Sequence, residues 1–258
     1  MYNEYKFMGM TPISTIDYPG ELAAVLYIGG CNLSCGYCHN YAAVKDPQQH
    51  TLTWGEVSKF LDKRKGKLSA VVLCGGEPTN EEPLLLRELI FQIRKRGFKV
   101  KLDTNGTNPK LLDRLLSSNL LDYVALDVKE RIDTPSRHSR IYFSSLLLSQ
   151  VRRSVDIIGK SGVDAEVRVT AAAPIVTKDD VVAIARSVRG SVQRFAIQAY
   201  KFSPYQPQFY GLETIPPEEL LEAARLIHDE LVGCEIEVRG IAGMTRDQTI
   251  FPRDSRSQ

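Results

Sequence analysis

Leu22-Ala23-Ala24-Val25-Leu26-Tyr27-Ile28-Gly29-Gly30-Cys31-Asn32-Leu33-Ser34-Cys35-Gly36-Tyr37-Cys38-His39-Asn40 is an apolar run that breaks on a glycine pair and opens into three cysteines within eight residues. Thiolates spaced C-x3-C-x2-C can each take one iron of a cubane, because a loop this short wraps a corner of the cluster. The fourth iron then has no protein ligand, and its open position is where a substrate or cofactor binds. Two other readings of the same residues compete. Cys35-Gly36-Tyr37-Cys38-His39 has the form of a C-x-x-C-H haem attachment, but that chemistry follows export and leaves Cys31 idle. A structural zinc ion could take Cys31, Cys35, Cys38 and His39, with His39 folding back onto the ion that its neighbour already holds.

Outward from the loop, the chain alternates short β-branched runs with amphipathic stretches. Strands are predicted at 22–30, 69–76, 99–106, 123–130, 164–173, 194–201 and 235–240. Helices are predicted near 54–64, 83–97, 109–118, 144–161, 177–189 and 216–232. Ala70-Val71-Val72-Leu73 is apolar at every position, which suits a strand buried on both faces of a parallel sheet. Pro83, Pro109 and Pro217 stand where helices begin, since a missing N–H costs nothing in the first turn. Six or seven units are too few for a closed eight-unit barrel, so the predicted class is α/β, an open partial (β/α)6-type barrel of parallel strands. Its site is expected at the C-terminal strand ends.

The 258 residues carry 33 basic and 31 acidic side chains, a net charge of +2, which implies neither a nucleic-acid nor a membrane partner. No apolar run approaches the ~20 residues of a membrane span, and Met1–Lys6 does not resemble a secretory signal. The expected compartment is a reducing cytoplasm, where five cysteines, an odd number, read as metal ligands and buried thiols rather than disulfides. Residues 1–252 are expected to form one domain, with 253–258 as a flexible tail.

The strand ends carry further signals. Gly75-Gly76-Glu77-Pro78 ends the second strand, Asp103-Thr104-Asn105-Gly106 the third, and Leu126-Asp127-Val128-Lys129 the fourth, while Arg168 and Gln198 stand on the fifth and sixth. Together with the cysteine loop, these segments resemble the signature of the radical S-adenosylmethionine (SAM) superfamily from about Thr15 to Gly240. The resemblance implies a [4Fe–4S] cluster on Cys31, Cys35 and Cys38, with SAM chelating the open iron and reductively cleaved to a 5′-deoxyadenosyl radical. It places Tyr37 near the adenine and His39 close by, and gives Gly75, Gly76 and Glu77 to the SAM ammonium. Asp103 and Thr104 fall to the ribose, Lys129 to the SAM carboxylate, Arg168 to a SAM contact and Gln198 to closing the pocket, with Asp127 among the SAM-binding residues. For Glu77 and its glycines a plain strand-to-helix turn, and for Arg168 and Gln198 an ordinary strand-end contact, stand beside those roles. Asp103 and Asp127 can alternatively share a cation, as hard oxygen ligands do.

Within the superfamily, Ser14-Thr15-Ile16-Asp17-Tyr18-Pro19-Gly20 and Cys38-His39-Asn40 are most similar to the glycyl-radical-enzyme activating enzymes, closest to the activators of anaerobic ribonucleoside-triphosphate reductase. That implies a glycyl radical enzyme as partner, probed through an open barrel, and a flavodoxin- or ferredoxin-type electron donor. Asp17–Gly20 either lines the entrance or is a structural turn. Tyr41, Cys74 and the stretch around Pro204 and Pro207 depart from the pattern. Two other functions remain open from sequence: a radical SAM enzyme acting on a small molecule or nucleotide, and a non-enzymatic protein with a structural metal.

Overall fold

The structure, a computed structural model, describes residues 5–41, 44, 51–133, 141, 144–202, 211–244 and 250–251. The expected tail 253–258 and the stretch around Pro204 and Pro207 lie outside these residues. Two compact units divide the chain: Met1–Asn32 with Asn40–Thr104 and Lys110–Ala125, and Leu33–His39 with Asn105–Pro109 and Leu126–Gln258.

The first unit contains β1 (Lys6–Phe7), β2 (Gly9–Ser14), β3 (Ala23–Ile28), β4 (Leu52–Thr53), α1 (Trp54–Arg64), β5 (Ala70–Gly75), α2 (Pro83–Arg94) and β6 (Lys99–Thr104). α3 (Pro109–Ser117) and the start of β7 (Tyr123–Asp127) complete it. β3, β5 and β6 run parallel in register, Ala23 opposite Ala70 and Ala70 opposite Lys99, and β2 lies antiparallel on the far side of β3. Alternate residues share a strand face, and Ala23, Val25, Ala70, Val72 and Ala125 form one buried cluster with Tyr18 and Tyr123. The rings of Tyr18 and Tyr123 lie 5.3 Å apart.

The second unit holds the end of β7, α4 (Ser145–Ser161), β8 (Asp164–Ala173), α5 (Lys178–Ser187), β9 (Arg194–Ala199), β10 (Glu213–Thr214), α6 (Pro217–Glu230), β11 (Glu235–Arg239) and β12 (Ile250–Phe251). β8, β9 and β11 are parallel, while β10 pairs antiparallel with β8 and β12 with β11. Val167, Val169, Phe195, Ile197, Ile236 and Val238 are buried on one face of these strands. α5 packs on β8, and α6 on β9 and β11.

All seven predicted strands and six predicted helices are present, in parallel α/β order. α2, α3 and α6 begin on Pro83, Pro109 and Pro217. Thr53 and Glu56 close a capping box on α1, satisfying two orphan N–H groups reciprocally. α4 ends on Gly162 at φ 71°, a left-handed position that glycine adopts without strain. The sequence reading did not anticipate β1, β2, β4, β10 or β12. Four of these have two residues, too few for a period to show, and β2 contains Pro12, which an edge strand tolerates because it need not donate on its outer side.

Candidate active site

In the first unit, the cysteine loop leaves β3 beside the Gly75-Gly76 end of β5. Gly76 N–H donates to the Ile28 carbonyl and Glu77 N–H to the Gly30 carbonyl, both at 2.8 Å. A Cβ on Gly76 would stand 1.7 Å from Gly30 O, and one on Gly75, at φ 116°, 2.4 Å from Ile28 O. The glycine pair was expected to let a ligand approach. In the structure the close approach is by the chain itself, since β5 ends pressed against the root of the cysteine loop. The Gly75 carbonyl accepts from Asn40 Nδ2 at 2.9 Å, so the far side of the loop is pinned to the same glycine.

Glu77 has partners within the chain. It is 1% exposed. Its Oε1 accepts from Thr79 N–H at 3.0 Å, Thr79 Oγ1 at 2.6 Å and Thr104 Oγ1 at 2.7 Å, so it caps the 3-10 turn Pro78–Asn80 and ties β5 to β6. Asp103 points onto Lys101 Nζ at 2.8 Å, and the two side chains are 6% and 1% exposed. Lys101 Nζ also lies 5.6 Å from the centroid of the Tyr123 ring. The sequence reading missed Lys101, which supplies Asp103 with a cation of its own.

In the second unit, Cys38 N–H donates to the Cys35 carbonyl at 3.2 Å, closing a turn that places both thiols partly exposed. Tyr37 is buried, and its hydroxyl donates to the Lys129 carbonyl at 2.9 Å, fastening the loop to the end of β7. Lys129 Nζ is 3.4 Å from Asp127 Oδ2. Burial opposes the Lys129 charge, yet Asp127 and the Cys35 and Cys38 sulfurs hold its pKa above the ordinary lysine value against repulsion from Arg168. Arg168 grips Asp127 with two bonds, Nε to Oδ1 at 2.8 Å and Nη2 to Oδ2 at 2.9 Å. Both carboxylates meet cationic side chains of the chain itself, Asp103 that of Lys101 and Asp127 that of Arg168. His39 is exposed to solvent, yet partial desolvation, then the charge of Lys201, lowers its pKa. Gln198 stands on β9 between Thr170 of β8 and Arg239 of β11.

The Asp17–Gly20 segment is a fixed turn. Ser14 Oγ accepts from the N–H groups of Ile16 and Asp17 at 3.2 and 3.1 Å and donates to Asp17 Oδ2 at 2.5 Å, while Tyr18 is buried.

The model of the Radical SAM superfamily matches residues 25–188, more than half of the chain. The chain belongs to the radical SAM superfamily. A Methanocaldococcus jannaschii protein provisionally named a glycyl-radical enzyme activating enzyme is 32% identical over 222 residues, covering 84% of this chain and 90% of that one. The pyruvate formate-lyase-activating enzyme of Streptococcus mutans is 27% identical over 241 residues, covering 84% and 88%. SuiB of Streptococcus suis shares the fold at a TM-score of 0.62 and 12% identity over 84% of this chain, which spans 49% of that longer protein. This radical SAM chain thus has the open, partial (β/α) barrel architecture that its sequence predicts. Among the described residues no helix is long and apolar enough to cross a membrane.

The superfamily works with a [4Fe–4S] cluster and SAM, and the donor set suits them. Soft thiolates are the ligands iron–sulfur clusters take, and Cys35 and Cys38 lie near enough to Lys129 to act on its charge. Among the described residues no three His, Cys, Asp or Glu side chains converge on a position for a single metal ion.

Proposed function

We propose that this radical SAM chain acts in the cytoplasm as an activating enzyme, installing a glycyl radical on a partner protein, an anaerobic ribonucleotide reductase. Cys31, Cys35 and Cys38 hold the cluster in this reading, and a flavodoxin- or ferredoxin-type protein supplies its electron. The observation that carries the activating-enzyme reading is the near end-to-end likeness to two proteins named as activating enzymes, 84% of this chain in each case; the reductase as partner rests on the sequence segments Ser14–Gly20 and Cys38–Asn40. Only 36 residues lie between Cys38 and Gly75, which leaves no room for an inserted second cluster domain there. Cys74 and Cys234, the remaining cysteines, stand apart in sequence, on β5 and ahead of β11.

When bound, the cluster and SAM supply the electron and the 5′-deoxyadenosyl group that removes a hydrogen atom from the glycine. The residues supply placement and exclusion of water. Tyr37 anchors the cysteine loop to Lys129 in the second unit, and Asn40 bonds Gly75 in the first. Lys129 and Arg168, sharing Asp127, offer cationic donors to the SAM carboxylate. Asp103, held by Lys101, and Thr104, held by Glu77, offer oxygen atoms to the ribose. No acid–base pair is needed at a carbon that loses a hydrogen atom.

The test is anaerobic iron reconstitution followed by dithionite and SAM, scoring 5′-deoxyadenosine by chromatography. Product that disappears in Cys35→Ala establishes the cleavage. A glycyl-radical doublet in paramagnetic resonance after incubation with purified anaerobic reductase establishes the partner. Cleavage without that doublet moves the assignment to a small-molecule or nucleotide substrate. About one zinc per chain with no product overturns the enzyme reading.

A further inference from the structure

Parallel register on β8, β9 and β11 lays out three layers: Glu166–Arg194–Glu235, Arg168–Ala196–Glu237 and Thr170–Gln198–Arg239. Residues two apart on a strand share a face, so one face carries six charged side chains around the small, fully buried Ala196. Arg239 comes from the upper layer, yet its Nη2 donates to Glu166 Oε2 in the lower one at 2.7 Å and to Glu237 Oε2 at 2.8 Å. A side chain larger than alanine at 196 would compete for the space between those layers.

Glu166 is 1% exposed, and a carboxylate so buried has to be paired. It has Arg239 on one side and Arg168 Nη1 on the other at 3.9 Å. Arg168 turns its opposite edge onto Asp127, which Lys129 also approaches. Stability does not account for this arrangement, because apolar residues of similar volume often serve a core as well as buried ion pairs do. What the ion pairs add is a defined direction for each guanidinium.

We propose that Glu166, Arg239 and Glu237 are positioning residues that hold Arg168, and through it Asp127 and Lys129, in the orientation that receives the carboxylate of SAM. This rests on the radical SAM site read above. The network acts only through Arg168, so its loss raises the KM for SAM and leaves kcat nearly unchanged.

The experiment uses reconstituted protein, with SAM binding by equilibrium dialysis, 5′-deoxyadenosine kinetics and thermal unfolding measured together. In Glu166→Gln/Arg239→Gln the two amides can hydrogen-bond without charge, so the unfolding midpoint stays near that of wild type. The SAM dissociation constant is expected to rise on the order of tenfold, the lower end of what losing a partner that orients a ligand-holding group costs. Arg239→Lys, which keeps the charge, restores most of the affinity. Wild-type affinity in the double variant overturns the positioning role. Should the double variant not fold, Glu237→Gln removes the charge from one Arg239 partner and leaves Glu166 paired; raised SAM KM supports the proposal and an unchanged value overturns it. Wild-type protein that binds no SAM overturns the reading of the whole site, an outcome distinct from either variant result.

Discussion

The strand faces of the two units are built on opposite principles. In the first, Ala23, Val25, Ala70, Val72 and Ala125 make a close-packed surface against Tyr18 and Tyr123, with Lys101 and Asp103 as its buried ion pair. In the second, Glu166, Arg168, Arg194, Glu235, Glu237 and Arg239 pair in succession, with Arg194 Nε donating to Glu235 at 2.7 Å. Packing tolerates no extra atom but is indifferent to salt. Charge pairing tolerates changes of shape better than the loss of one partner. The apolar face of the first unit is therefore expected to fail on added volume, and the buried pairs of either unit on removed charge.

Gly76→Ala is the severest test of that contrast. With Gly30 O at 1.7 Å from the new Cβ, either β5 or the root of the cysteine loop must move. A loss of more than about 3 kcal/mol, or no folded protein, is expected in urea unfolding. A mild effect would mean that the first unit is not held by shape.

Lys101→Met asks how much charge matters even there. It leaves Asp103 buried without the ammonium 2.8 Å away, and breaking such a pair costs about 3–5 kcal/mol by denaturant midpoint. A neutral result would make the first unit wholly insensitive to charge and sharpen the contrast.

Tyr5→Phe has a smaller effect, with a distinct signature in alkaline solution. Burial, then the neighbouring Glu81 carboxylate, raises the Tyr5 pKa above its ordinary 10. A group raised in the folded state contributes stability below its unfolded pKa, lost as pH rises because the unfolded chain ionises first. Wild-type stability should fall above pH 10 with a slope of up to about 1.4 kcal/mol per pH unit. The variant should lack that contribution when unfolding is followed across the same range.

The smallest effect is expected for Arg186→Ala. Its two bonds to Glu230 measure 2.6 Å, but the pair lies on the surface of the second unit. Solvent and salt screen exposed pairs, so the thermal midpoint should not change measurably. A clear loss would show that charge counts in the second unit whether or not it is buried.

The framework was legible because its signals are local. β3 and β5 are apolar at nearly every position, three helices open on proline, and the cysteines are neighbours in sequence. The cluster and SAM reading followed from the cysteine loop with its companions at the strand ends. β2 was not legible, since Gly9-Met10-Thr11-Pro12-Ile13-Ser14 has neither a clean alternation nor a continuous apolar run. Glu77 was legible as a motif member but not as a cap, because that depends on Thr104, 27 residues away.

Lys101 shows the limit well. In Lys99-Val100-Lys101-Leu102-Asp103 it reads as one of two solvent-facing lysines on an alternating strand, and Lys99 is indeed exposed, paired with Glu21. Lys101 is buried because β6 runs on beside β5, bringing it level with Val72 and beneath the Tyr123 ring. Glu166 and Arg239 are 73 residues apart, and neither is marked by its neighbours in the chain.

Amino-acid order alone determined the strands and helices of the parallel α/β architecture, the cysteine loop and the superfamily, because periodicity, proline placement and ligand spacing act over a few residues. Tertiary structure decided which ionisable groups are buried, which carboxylate each cation meets, and that the glycine pair receives the chain's own backbone. Those outcomes depend on strand register, which sets distances between residues far apart in sequence and on which Coulomb energy and packing both depend steeply.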